Sequence, residues 1–298
     1  MKPFRWDVKK REQLGRLIEA EPKVIAQDFM AAIRQCAARV LAFAGDSNLV
    51  FVGRSPESIF DYLSGALLDT SWSDRLCLAN ISIRFQSLKL IARDLPTALA
   101  TTREHFRAIQ LSPDAIIRGG RPVALVDLVA SGSTFKNTSE LLLSWATAEK
   151  ADLNALRKKI RFVGITRRTK NSPKTFRWQQ HARWLNDFPS GCVKNVSIPG
   201  WLWDYLGNNQ KKVGWSNHPE RWADPDIAKP PRHSSNIAAL NFAVSLFDLA
   251  RTADERVAFA DELRRQPQMT ESWFRDVVSQ TRKKTLARVA NRATWAPM

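Results

Sequence analysis

The chain predicts an α/β protein with a mainly parallel central sheet, helices on both faces of the sheet and helical additions at either end. Three observations predict it. Short aliphatic runs, LVFVG at 49–53, VALVDLV at 123–129 and RFVGITRR at 161–168, are brief enough for strands and apolar enough to be buried on both faces. Segments of helical periodicity stand between them, which is the pattern of strands joined by crossover helices. With 298 residues, 44% of them hydrophobic, the chain can bury a sizeable core.

Taken in order, residues 1–48 read as a helical segment. Leu14, Leu17, Ile18, Val24, Ile25, Phe29, Ile33, Val40 and Leu41 recur at roughly helical spacing, and Gly45 with Asp46, Ser47 and Asn48 ends the run. LVFVG then forms a buried strand, and PESIFDYLSGALL a helix with Pro56 near its first turn. RPVALVDLV repeats the strand after the turn at Gly119 and Gly120, followed by a helix over 137–148. The runs at 161–168 and at 192–199 (CVKNVSIP) supply two more strands. Together these make a core at 49–206. Residues 207–235 turn to Pro, Asn, Gly and Trp and predict a loop or linker. Residues 236–298 predict amphipathic helices, one carrying Phe242, Leu246 and Leu249, another Trp273, Val277, Leu286 and Val289.

Charge is the extreme feature, with 46 Lys and Arg against 29 Asp and Glu for a formal +17. Such a field attracts phosphates, on a small metabolite or on a nucleic acid. The cations fall in clusters: Arg157, Lys158, Lys159 and Arg161; Arg167, Arg168 and Lys170; Arg282, Lys283 and Lys284, with Arg288 and Arg292 beyond. No apolar run is long enough to span a membrane and the N-terminus MKPFRWDVKKRE is charged, so a cytoplasmic protein without a membrane partner is expected. Cys36, Cys77 and Cys192 suggest neither a disulfide framework nor a zinc site, and His105, His181, His218 and His233 show no paired ligand spacing; no protein-held metal is expected.

The chemistry concentrates in VALVDLVASGSTF, residues 123–135. At the carboxyl end of a parallel strand, Asp127 would project into the crevice where open α/β sheets bind ligands. Small residues after it let backbone N–H groups approach a phosphate at the start of the next helix, and the hydroxyls of Ser131, Ser133 and Thr134 can donate to its oxygens. An acid beside a phosphate cradle suits a sugar phosphate, the carboxylate accepting from ribose hydroxyls. A methyltransferase would want several glycines in this loop, where only Gly132 stands, and a phosphoaspartyl hydrolase would want an acid where Val129 stands.

These residues resemble the ribose-phosphate signature of the type I phosphoribosyltransferases. The resemblance spans about 49–206 and implies a sheet of that family's type. It implies that Asp127 contacts the ribose and acts in catalysis, and that Ala130, Ser131, Gly132, Ser133 and Thr134 bind the 5′-phosphate of phosphoribosyl pyrophosphate. FVGRSPES at 51–58 stands where the family binds the pyrophosphate leaving group, which implies Gly53 for the turn and Arg54 and Ser55 for the pyrophosphate, Arg54 stabilising its growing charge. The family's mobile hood loop would fall within 70–111, with Arg84 and Lys89 as pyrophosphate contacts. SIPGWLWDYL at 197–206 stands where the family encloses the acceptor, which makes Trp201 and Trp203 stacking candidates, although packing is the commoner role for such a run. Implied too are a nucleobase-like acceptor and Mg2+ held through the substrate, with a second copy of the chain and nucleic acid as further candidate partners. One departure stands out: the family has two adjacent acids, and the second position is Leu128. The alternative reading is a catalytically weak regulator of the same fold that senses a ribose phosphate and binds RNA or single-stranded DNA.

Overall fold

In the computed structural model, residues 4–18, 23–80, 82–83, 85–168, 177–209, 212, 219–230 and 232–293 are described, without the side chains of 16 and 283–293. The strands are β1 (Asn48–Val52), β2 (Leu76–Ala79), β3 (Val123–Leu128), β4 (Ile160–Arg167) and β5 (Val193–Ile198). They form a five-stranded sheet in the order β2-β1-β3-β4-β5, parallel at every pairing. The helices are α1 (Arg11–Leu14), α2 (Gln27–Ala44), α3 (Glu57–Ala66), α4 (Leu88–Asp94), α5 (Pro96–Ala108), α6 (Pro113–Arg118), α7 (Ser133–Ala148), α8 (Leu153–Lys159), α9 (Gly200–Asn208), α10 (Ser234–Ala250), α11 (Ala253–Arg264) and α12 (Ser272–Ala293).

Strand alternation divides the apolar residues between two cores. Leu49, Phe51, Ala124, Val126, Val163 and Ile165 face one side, where α2, α3 and α9 cover them. Val50, Val52, Val123, Leu125, Ile160 and Phe162 face the other, with residues of α4 to α8. Burial on both faces is why these strands are continuously apolar in sequence. The same period sends Asp127 to the α7 side of the sheet and Leu128 to the α9 side.

The chain order places β2 and β3 on opposite flanks of β1, so the winding reverses between β1 and β3. At such a switch point the loops leaving the two strands diverge to opposite faces and open a crevice at their carboxyl ends.

The additions at either end belong to the same packed body. Phe259, Leu263, Phe274 and Val277 from α11 and α12 join the first core, and α10 crosses α3 so closely that a Cβ on Gly65 would stand 2.9 Å from that of Ala250. Glu255 of α11 accepts both guanidinium bonds of Arg34 at 2.7 Å and the Tyr62 hydroxyl at 2.6 Å, tying α2, α3 and α11 together.

Several elements differ from the sequence expectation. The N-terminal periodicity does not give one helix: Trp6, Val8 and Leu14 are drawn onto Leu240, Val244 and Phe247 of α10, the regular helix begins at Gln27, and Val24 is 95% exposed. Residues 70–111, within which the hood loop was expected, hold β2, α4 and α5, with residues 82–83 and 85–87 irregular before α4. The helix after β3 starts at Ser133 and not at 137. Residues 219–230 are pinned to the body, with Trp222 fully buried and its indole N–H donating to Ser82 O at 3.1 Å. Leu286 and Val289 lie outside the described side chains, as do Lys283, Lys284, Arg288 and Arg292.

Candidate functional site

A cleft of about 670 Å³ opens at the switch point, lined by Ser55 from the loop after β1, by residues 127–135 and by Asn137, by Phe85 and Gln86, and by Trp203, Gly207 and Asn208 of α9. Asp127 ends β3 nearly buried, at 6% exposure, and its Oδ1 accepts the Leu128 N–H at 2.7 Å. Ala130, Ser131 and Ser133 are exposed to the cleft. Gly132 takes the left-handed conformation at φ 80° and caps α7, whose first turn carries no acid; the open N–H groups and the helix dipole there favour an anion.

Support for this loop comes from residues that the motif reading did not single out. The face of Gly132 where a side chain would project is covered by Trp178, whose Cζ3 would stand 2.7 Å from a Cβ there, with Cε3 closer still. Trp178 is itself 3% exposed, packs against Phe135 with ring centroids 5.8 Å apart and planes tilted by 49°, and donates its indole N–H to Asn195 Oδ1 at 2.8 Å. Glycine at 164 leaves room for that bond, since a Cβ there would meet Asn195 Oδ1 at 2.9 Å. This loop therefore rests on an indole floor anchored to β5. Above it, Asn137 of α7 donates to Ile83 O at 3.0 Å and Phe85 O at 2.9 Å, holding Phe85 and Gln86 over the cleft.

Of the expected pyrophosphate residues, Ser55 lines the cleft. Gly53 makes the turn at φ 75°, its N–H donating to Ala79 O at 2.7 Å. Arg54 is partly buried in the same turn, with its carbonyl accepting from Glu57 N–H at 3.2 Å, and its side chain is not among the lining groups. Lys89 lies exposed on α4, and Arg84 lies outside the described residues. The two tryptophans separate: Trp203 lines the cleft, whereas Trp201 is 50% exposed beside Phe29, away from it.

Behind the β1 loop, α3 carries two fully buried acids. The Lys212 ammonium pairs with Asp61 and, at 3.1 Å, with Glu57, while Arg5 pairs with Asp61 at 2.8 Å. Burial pushes the Tyr205 phenol up to about 12, with the Ser58 hydroxyl pulling it back and the Asp61 charge adding to the rise. The helix behind the site is thus braced by Arg5 near the N-terminus and by Lys212 after α9. Leu128 faces α9, where a Cβ on Gly207 would stand 3.5 Å from its Cδ2, so the position after Asp127 is apolar and packed on that side. Among the described residues no group of three His, Cys, Asp or Glu side chains could hold a metal, and no helix is long and apolar enough to cross a membrane.

Compared with known proteins, the chain matches no family model, no curated protein and no solved structure.

Proposed function

We propose that the cleft binds phosphoribosyl pyrophosphate and that the protein transfers its phosphoribosyl group to a nucleobase or related acceptor, releasing pyrophosphate. The observation that carries this reading is convergence: the loop after β1 and the loop after β3, far apart in sequence, contribute Ser55 and residues 127–135 to one crevice at the sheet's switch point. In this reading Ser131, Ser133, Thr134 and the first amides of α7 hold the 5′-phosphate. The Asp127 carboxylate accepts from the ribose hydroxyls and opposes the positive charge that develops on the ring as the bond to pyrophosphate lengthens. Ser55 donates to the leaving group, and the Arg54 turn supplies a cation close by. Trp203 and Phe85 offer faces for a planar acceptor, with the Gln86 and Asn208 amides at its edge.

Asp127 is the one carboxylate among the described lining residues. That donor set fits magnesium held through the substrate's own oxygens, where it would neutralise the departing pyrophosphate. The apolar packing of Leu128 supports a second reading in which the same ligand is bound and sensed with little turnover.

Thermal melting with phosphoribosyl pyrophosphate and magnesium tests the ligand. A ligand specific to the native state stabilises it by about 2.7 kcal/mol at a hundredfold excess over its Kd. Ribose 5-phosphate should act more weakly, and Asp127→Asn should abolish most of the shift without lowering the unliganded Tm. No shift for wild type, with a lowered unliganded Tm for Asp127→Asn, would make Asp127 a strand-end hydrogen-bonding residue and defeat the proposal. Pyrophosphate release against a nucleobase panel separates transferase from sensor.

A further inference from the structure

We infer that the amino-terminal edge of the sheet, opposite the cleft, is a binding surface for the phosphodiester backbone of nucleic acid. The turns leading into β2, β3 and β4 bring cations from three separate stretches of sequence to one line, around the Asp46 of the turn into β1. Arg75 and Arg121 share a single carboxylate oxygen, Asp46 Oδ1, at 2.5 and 3.3 Å. Directly beside them, Arg161 donates to Ala44 O at 3.0 Å, and Lys159 to Gly119 O at 2.5 Å. Arg118, next to Gly119, is 80% exposed, and Lys158 is exposed at the end of α8.

Asp46 is shared by two arginines, and backbone carbonyls hold two more cations without neutralising them, so the line stays strongly positive even after counting Asp74 beside Arg75 and Asp114 beside Arg118. Fixing these stems in advance lowers the ordering cost of meeting a ligand. From β2 to β4 the line crosses three strand spacings, about 14 Å at roughly 4.8 Å each. That length serves successive phosphates of a polyanion and exceeds any single small phosphate, and guanidinium forks match phosphate oxygens. A lipid surface fits less well: the exposed large apolar residues among those described, Val24, Leu90, Trp201 and Leu249, belong to none of these turns.

Fluorescence anisotropy with a labelled oligouridylate and a labelled duplex DNA tests the surface, with Kd followed between roughly 50 and 200 mM salt. The triple reversal Arg118→Glu, Arg121→Glu, Lys158→Glu alters exposed side chains on this edge. A control reversal, Arg251→Glu, Arg264→Glu, Arg265→Glu, makes the same change in net charge on α11 and the turns that flank it. Each lost phosphate contact lowers the log–log salt slope by about 0.7 on a single strand, so the edge variant should lose about 2 in slope and the control close to none. The stronger binder of the two probes identifies the form of nucleic acid. Failure of the wild type to bind either probe, equal losses in both variants, or charge-dependent binding to phosphatidylserine vesicles or polyglutamate as tight as to nucleic acid would each overturn the inference. The melting shift with phosphoribosyl pyrophosphate should survive the edge variant, because the cleft lies at the opposite end of the strands; the two proposals thus stand or fall separately.

Discussion

Gly132→Ala probes the contact on which the candidate phosphate loop depends. At φ 80° a residue with a Cβ occupies the left-handed region at a cost of about 1 to 2 kcal/mol. The added methyl would also meet the Trp178 ring, 2.7 Å from Cζ3 and nearer to Cε3, and a rigid indole anchored to Asn195 cannot swing aside as a flexible side chain would. Overpacking of this kind costs about 1 to 3 kcal/mol, so the variant should lose roughly 2 to 5 kcal/mol. Trp178→Ala, which empties a nearly buried site, should lose about 3 to 5 kcal/mol alone. In the double variant the collision is absent and the backbone cost stays, so the combined loss should fall short of the sum by about 1 to 3 kcal/mol. Urea unfolding at constant m, read as the change in midpoint, measures all three. A Gly132→Ala loss below about 0.5 kcal/mol, or strict additivity with Trp178→Ala, would refute the indole floor.

Other consequences follow from single contacts. Asn137→Ala removes two bonds to the carbonyls of residues 83 and 85 and should cost about 2 kcal/mol, with faster amide exchange at 82–87 as the specific sign; exchange unchanged there would exclude its role in holding Phe85 and Gln86. Glu255→Gln leaves Arg34 and the Tyr62 hydroxyl without their shared carboxylate and should cost about 3 kcal/mol, measured by the same unfolding assay. Burial pushes the Cys36 thiol up to about 12 from 9.0, so the folded state keeps a proton that the unfolded state gives up; this stability is complete below pH 9 and is lost as pH rises. Between pH 9 and 10 the unfolding free energy should fall by up to about 1.4 kcal/mol more in wild type than in Cys36→Ala. Trp203→Leu should weaken an acceptor by about tenfold and Trp201→Leu hardly at all, as judged by inhibition of turnover or by direct binding; the reverse order would place the acceptor elsewhere.

The α/β class, four of the five strands and the loop that carries Asp127 were legible because each rests on local chemistry. A strand buried on both faces must be apolar along its length, and a phosphate-sized turn into a helix needs small and hydroxylated residues wherever it lies in the fold. β2 escaped notice because LCLA is only four residues long and half-covered, too short to set a period. The N-terminal run is helical in spacing throughout, but among the described residues the α-helices it forms are α1 and α2, with Leu14 packed against Leu240, Val244 and Phe247 of α10.

What the sequence by itself determined, then, was the set of elements whose burial or turn geometry is written in adjacent residues, together with the excess of positive charge. The tertiary structure decided which of these meet. Strand order placed the β1 and β3 loops on one crevice and gathered Arg75, Arg121, Lys159 and Arg161 on the opposite edge; helix phase put Trp203 in the cleft and Trp201 outside it; and a segment beyond β4 brought Trp178 under Gly132. None of these could be read from neighbours in the chain, because each depends on long-range packing in which loop-closure entropy grows only slowly with separation, leaving distant residues almost as free to pair as near ones.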